Sequence, residues 1–342
     1  MTSLQDKFTQ VEYELGQLLV NREQEIRGLS LAVLAKEHVL FLGPPGVAKT
    51  LMVSQFSQAL NLSFFRRLVT QFSTPDEIIG PVDIAEYAEN STYRRIIKGK
   101  AADSEVVLLD EVFKGGPSIL NSLLSIMEER VLDNDGTTVD VPLVTLIGTS
   151  NELPNDDDAL HAFYDRFLLR YNIGYINDDL GFRSMLKLPR NGTVTTSIDS
   201  AELKQAQDEV LMLPVNNSAF EAVESLWEAL REEDIWPSDR RSRKLLEVMA
   251  AEAWLQGQEE VDGVNITVAN NIMWNNPTRD EMAKVKRCTL SSMNPNAARA
   301  QEILAGAKET MEELVLLDAG AALQFMRQLQ AMQRDINEMP QD

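Results

Sequence analysis

The chain has 342 residues, 44% hydrophobic and 25% charged, with 53 acidic against 32 basic residues and a net charge of −21. The length suits two or three domains; the acidic balance argues against a free nucleic-acid-binding surface, though a local basic patch is compatible with it. The single Cys288 excludes an intrachain disulfide framework, two histidines and one cysteine leave no zinc cluster, and no apolar run reaches the ~18–20 residues that cross a bilayer. With a polar amino terminus, MTSLQDKFTQ, the expectation is a soluble cytoplasmic protein.

Leu4, Phe8, Val11, Leu15, Leu18 and Leu19 recur at helical spacing over residues 4–20, and EIRGLSLAVLAKE, 24–36, continues as a second helix. His38 lies between that helix and an apolar strand, Val39–Leu42, and is given a structural role only. The strand runs into Gly43-Pro44-Pro45-Gly46-Val47-Ala48, then Lys49-Thr50 opens a helix with Leu51, Val53 and Phe56 as its apolar positions. Strand, glycine-bearing loop, Lys-Thr and helix make a phosphate-binding loop. A helix amino terminus offers unpaired N–H groups and a positive dipole end, and glycines let the backbone wrap an anion. Gly43 through Leu51 are the expected nucleotide contacts. Lys49 is expected on the β- and γ-phosphates and Thr50 on Mg²⁺. Ala48 replaces the usual last glycine and is read as tolerated provided its φ is negative.

Residues 64–70, FFRRLVT, predict a second strand. FSTPDEIIGPVDI then breaks regular structure, and Asn90-Ser91-Thr92 is read as the turn of a small hairpin returning over 93–97. Arg94-Arg95 belongs either to a solvated face or to a contact with a neighbour. Val106–Leu109 is a third strand, ending in Asp110-Glu111. Carboxylates at the carboxyl end of a buried strand lie beside a phosphate loop in an α/β sheet. Asp110 is the expected Mg²⁺ holder through water, and Glu111 the residue that orients and deprotonates the attacking water.

PSILNSLLSIMEER, 117–130, is an amphipathic helix with Pro117 in its first turn. Asn134-Asp135-Gly136 marks a hairpin over 131–142. Residues 143–149 predict a fourth strand, ending at Ser150-Asn151, where Asn151 is either a turn residue or a group that positions water at the γ-phosphate. NDDD at 155–158 reads as solvated loop. Tyr164-Asp165-Arg166-Phe167 precedes a fifth strand, 168–173. Arg166 is either an ordinary partner of Asp165 or an arginine finger facing a neighbour's ATP.

Beyond Ile173 the composition shifts, with loops at 177–179 and 189–192 and nearly continuous helix from about 200. Ser238 or Asp239 caps a helix whose first turn carries Arg240-Arg241. Two cations there oppose the helix dipole, which points either to a ligand or to a surface salt bridge. A short helix is expected over 266–274, and two more around 295–317 and 321–338.

Taken together, GPPGVAKT (43–50), FSTPDEIIGP (72–81), VVLLDEVFKGGPSILNSLLSIMEER (106–130), TSNELP (149–154), YDRF (164–167) and SDRR (238–241) resemble the MoxR family of AAA+ ATPases, RavA-like members in particular, over residues 10–278. The resemblance implies an α/β fold: an AAA+ P-loop domain with a five-stranded parallel sheet flanked by helices (1–175), an all-helical lid (176–278) and a C-terminal helical hairpin (279–342). It implies ATP and Mg²⁺ as cofactors. Asn151 is then similar to sensor 1, Arg166 to the trans-acting finger, and Arg240, or the adjacent Arg241, to the sensor-2 arginine. It also implies a hexameric ring that remodels protein complexes, often with a von Willebrand A domain partner, away from membranes and nucleic acid. At this length, the long β-rich insertion and tail of RavA-like proteins are not expected. Two alternatives stand beside this reading: a nucleotide-gated assembly or adaptor scaffold with little turnover, which an intact Glu111 argues against, and a nucleic-acid motor, which the net charge disfavours.

Overall fold

The computed structural model describes residues 3–154, 158–188 and 192–293. Contacts divide the chain into two compact units, Met1–Pro214 with Ser238–Glu260, and Val215–Pro237 with the chain from Val261 onward.

The first unit opens with α1 (Leu4–Gly16) and α2 (Glu23–Ala35). Ser3 starts α1 with a reciprocal capping box to Asp6, which satisfies two otherwise orphaned N–H donors. β1 (Val39–Leu42) is buried at every residue, as a central parallel strand covered on both faces must be. α3 (Lys49–Ala59) follows, then β2 (Phe64–Leu68), whose largely exposed pattern marks an edge strand. α4 (Pro75–Ile78) and α5 (Ile84–Asn90) precede β3 (Val106–Asp110); α6 (Pro117–Glu128) leads into β4 (Val131–Asn134) and β5 (Thr137–Asp140). β6 (Thr145–Ser150), α7 (Asp158–Asp165), β7 (Leu169–Asn172), α8 (Asp179–Leu186) and α9 (Ser200–Met212) complete this part. α11 (Asp239–Leu255) belongs to the same unit. It packs on α2 and α1 through the Arg27–Glu252 ion pair and the edge-to-face contact of Phe8 with Trp254.

The expected five-stranded sheet is present, all parallel, in the order β2-β3-β6-β1-β7. β1 therefore lies between β6 and β7, and β3 beside β6. Parallel register puts the carboxyl ends of β1, β3 and β6 on one edge, where strand topology places ligands. β4 and β5 form the expected hairpin, with Asp135 and Gly136 both at positive φ as a tight two-residue turn requires.

Two local expectations are corrected. Residues 84–90 form helix α5 rather than an outgoing strand, because Asp83 caps the N–H groups of Ala85 and Glu86. The expected hairpin survives as one antiparallel bridge, Val82 to Arg95. Arg94 is exposed, as a solvated face requires, and pairs with Glu86, while the partly buried Arg95 pairs with Asp76. The short helix expected over 266–274 is a 3-10 helix, Gly263–Asn271, started by an Asp262 capping box.

In the second unit, α10 (Asn217–Glu232), the 3-10 helix and α12 (Arg279–Ser292) pack on one another around Ala222, Leu226, Leu230, Ile266, Val285 and Cys288. The expected C-terminal helices from 295 onward, and the loops at 155–157 and 189–191, lie outside the described residues.

Candidate functional site

The loop between β1 and α3 is shaped by its backbone before any side chain acts. Gly43 adopts φ +148, and a Cβ there would lie 2.1 Å from the Ile173 carbonyl oxygen. Its N–H donates to the Ser150 carbonyl at 3.0 Å, which anchors the loop across β6. Gly46 has φ +85 and Ala48 φ +64. The condition set for Ala48 is therefore not met. It sits in the left-handed region as the N-cap of α3, and an alanine there costs roughly 1–2 kcal/mol. Strain of this kind collects where a loop must point successive N–H groups at an anion.

Lys49, first residue of α3, folds over that loop: its Nζ donates to the Gly43 carbonyl at 2.5 Å and to that of Ser150 at 3.4 Å. Burial lowers its pKa, opposed by the charges of Glu111 and Asp110. Thr50 Oγ1 lies 3.4 Å from Asp110 Oδ1, which also accepts from Thr149 Oγ1 at 3.1 Å. The other Asp110 oxygen accepts from Arg66 on β2 at 3.0 Å. A hydroxyl and a carboxylate meeting beside a phosphate loop are the hard oxygen donors a Mg²⁺ ion uses together with phosphate and water, so the residues present fit that ion. Among the described residues no three His, Cys, Asp or Glu side chains gather as a self-contained metal site. Glu111 follows at φ +57, a left-handed conformation that turns its carboxylate off the strand line; Lys114 Nζ lies 3.2 Å from it. Asn151 is exposed one residue beyond β6, whose Ser150 pairs with Leu42 beside the loop.

Next to the loop opens a cavity of about 320 Å³, lined by Leu19, Val47, Leu51, Tyr175, Phe182 and Met185 among others. Leu51, one of the expected nucleotide contacts, is among these lining residues. Pro45 meets the Tyr175 hydroxyl, which donates to its carbonyl at 3.4 Å.

The structure brings Lys49, Thr50, Asp110 and Glu111 together. It does not bring Arg166, Arg240 or Arg241 to them. Arg166 directly follows α7, three residues before β7, whose Leu169 pairs with Val39 at the amino end of β1. A four-residue strand spans about 13 Å, so Arg166 lies at the opposite edge of the sheet from the phosphate loop. Its guanidinium donates to the Ala162 carbonyl at 2.6 Å and to Glu128 at 3.0 Å. Arg240 donates to the other oxygen of Glu128 at 2.6 Å. Arg241 is buried and pairs with Asp165 at 3.1 Å.

Four residues outside the sequence reading belong to these clusters: Arg66 and Thr149 on Asp110, Lys114 on Glu111, and Glu128 on the two arginines. Thr149 stands inside the recognised string TSNELP, and Lys114 and Glu128 inside that over 106–130, but only the fold shows what they touch.

Residues 6–213 match the family profile described as "MoxR domain in the MoxR-vWA-beta-propeller ternary systems", and 218–288 match an AAA lid domain. Two uncharacterized proteins of Methanocaldococcus jannaschii are 36% identical over 275 residues (80% of this chain, 73% of the relative) and 32% identical over 318 residues (93% and 83%). The chaperone MoxR1 of Mycobacterium tuberculosis is 30% identical over 173 residues, 48% of this chain and 43% of that one. A crystal structure from Cytophaga hutchinsonii, assigned as an ATPase, shares the fold at TM-score 0.68 with 21% identity, covering 85% of this chain and 95% of that one. The lid profile spans α10 to α12, yet α11 packs with the first unit. Among the described residues no helix is long and apolar enough to cross a membrane. A domain-length MoxR match over the phosphate loop, the paired strand-end carboxylates and the five-stranded sheet carries the conclusion that this chain belongs to the MoxR family of AAA+ ATPases.

Proposed function

We propose that the chain hydrolyses ATP and uses the cycle, as a hexameric ring, to remodel protein complexes. The observation that carries the reading is the convergence of Lys49, Thr50 and Asp110, with Thr50 Oγ1 3.4 Å from Asp110 Oδ1 at the mouth of a glycine-shaped loop. The apolar cavity beside that loop has room for a flat base, which supports ATP as the nucleotide. Lys49 exchanges the Gly43 carbonyl for β- and γ-phosphate oxygens. Thr50 and Asp110 would hold Mg²⁺, which neutralises charge on the phosphates when bound. Glu111 orients the attacking water and takes its proton, and Asn151 steadies that water as sensor 1.

Arg166 sits at the sheet edge away from its own phosphate loop, which supports its acting on the nucleotide of the next subunit. Arg240 shares Glu128 with Arg166, so it takes the sensor-2 role from that same edge; Arg241, held in the interior by Asp165, fits the role less well. We keep 1–175 as nucleotide-binding domain and 176–278 as lid, with the C-terminal segment opening in α12, which packs on α10. The FSTPDEIIGP string supports a RavA-like placement within the family. The family description supports a von Willebrand A domain partner, the single Cys288 fits a reducing, cytoplasmic compartment, and the acidic balance supports a protein that leaves nucleic acid alone.

The test is Mg²⁺-dependent ATP hydrolysis per chain over a wide range of protein concentration, with Glu111→Gln alongside. A rate per chain that rises with concentration and vanishes in the variant is the expected result. A flat, near-zero rate with tight ATP binding would replace this reading with the scaffold alternative.

A further inference from the structure

Glu128 ends α6, and α6 runs from the carboxyl end of β3 back to the amino edge of the sheet, where the Met127 carbonyl meets His38 just before β1. There the two Glu128 oxygens divide between two arginines from distant parts of the chain. Oε2 takes Arg166 Nη2 at 3.0 Å and Oε1 takes Arg240 Nη2 at 2.6 Å. The carboxylate is nearly half exposed, so solvent alone would satisfy it, and nothing in the fold requires this pairing. Two guanidiniums side by side repel each other, and only a group with two acceptors and a negative charge holds both. The Arg166 fork is fixed from its other side by the Ala162 carbonyl. Its Nε is buried without a hydrogen-bond partner, and the remaining Nη protons stay available for an anion.

We infer that Glu128 is a positioning residue for ATP hydrolysis, clamping Arg166 and Arg240 into a single two-arginine unit that meets the triphosphate of the adjacent subunit. The inference rests on the trans role of Arg166 proposed above. A rigid pair delivers both charges in one geometry. Loosening either by about 1 Å is enough to cost on the order of 10²-fold in rate.

Glu128→Gln separates the alternatives, because glutamine keeps the length but offers one acceptor oxygen and no charge. The experiment measures kcat and KM for ATP with full-length wild type, E128Q, R166A and the E128Q/R166A double variant, with melting temperature and assembly size as controls. The expected result is a kcat loss of about 10- to 100-fold in E128Q with KM for ATP within about 3-fold. The double variant is then no slower than R166A alone. A wild-type kcat in E128Q, a loss expressed in KM, or a further loss on top of R166A overturns the inference. Should E128Q fail to assemble, Glu128→Asp, which keeps both acceptors on a shorter stem, carries the same test; an unchanged kcat there overturns it. R166A at wild-type turnover overturns the trans role itself, and the clamp with it, whereas R166A inactive beside an active E128Q overturns the clamp alone.

Discussion

Ala48→Gly is expected to stabilise the nucleotide-free protein. Ala48 holds φ +64, ψ +19 as the N-cap of the phosphate-loop helix, without a side-chain cap hydrogen bond. The left-handed conformation costs an alanine roughly 1–2 kcal/mol. Glycine removes that cost but brings about 0.4–1 kcal/mol of extra chain entropy to the unfolded state. The difference leaves a gain of about 0.5–1 kcal/mol. For a unit of this size that is a rise of roughly 1–4 °C in Tm. Urea titration and a thermal scan without nucleotide read it, with amide exchange of β1 and α3 assigning the gain to the first unit. Ala48→Val is the opposing control, since a β-branched side chain is worse still at positive φ. A glycine variant no more stable than wild type, beside a valine variant no less stable, would refute the reasoning that this loop stores strain.

Gly43→Ala should destabilise by about 2 kcal/mol or more, because φ +148 is closed to alanine and its Cβ would meet the Ile173 carbonyl oxygen at 2.1 Å; denaturant midpoints check it. Lys49→Met should abolish the ATP-induced rise in Tm while leaving the nucleotide-free Tm no lower. Burial depresses the Lys49 pKa below its unfolded value, so the charged form opposes folding until pH rises through the depressed pKa, and methionine removes that opposition. His38 Nδ1 accepts from the Leu146 N–H at 3.0 Å, which leaves Nε2 to donate to the Met127 carbonyl at 2.9 Å and fixes a neutral ring. Burial first, then the Arg130 charge, holds its pKa well below 6.5. Stability from this group is complete above pH 6.5 and is lost as pH falls; Tm scans from pH 8 to pH 5 should show a slope that His38→Gln reduces.

Much of the site was legible because its chemistry is local in sequence. Val39 to Phe56 carries strand, loop and helix in one stretch, and Asp110-Glu111 follows an apolar run that can only be an interior strand. Pairing across the sheet was less legible. Thr149 reaches Asp110 because β6 lies against β3 with those two residues in register, and nothing in TSNELP says so. The hairpin expected to turn at 90–92 and return over 93–97 failed for a local reason: Asp83 caps a helix over the residues that lead into the turn. Ala48 was misjudged because composition does not reveal φ; its neighbours had already committed the loop to a left-handed turn.

The arginine edge shows how charge is arranged in an acidic chain. Four arginines, Arg166, Arg170, Arg240 and Arg241, are held there by two carboxylates, Glu128 and Asp165. Arg170 registers the local excess: burial first, then the positive charge of Arg241, lowers its pKa to about 10. Arg170 and Arg241 are interior and stack the edge from behind, with Arg170 over the Tyr164 ring at 3.9 Å. Arg166 and Arg240 stand in front of them with Glu128 between. An excess of cation on one edge of a protein with net charge −21 has a physical use if an anion meets it, and this chain's own phosphate loop lies at the other edge of the same sheet. On the proposed reading, a second copy presenting its nucleotide to that edge would supply the anion and so tie hydrolysis to assembly.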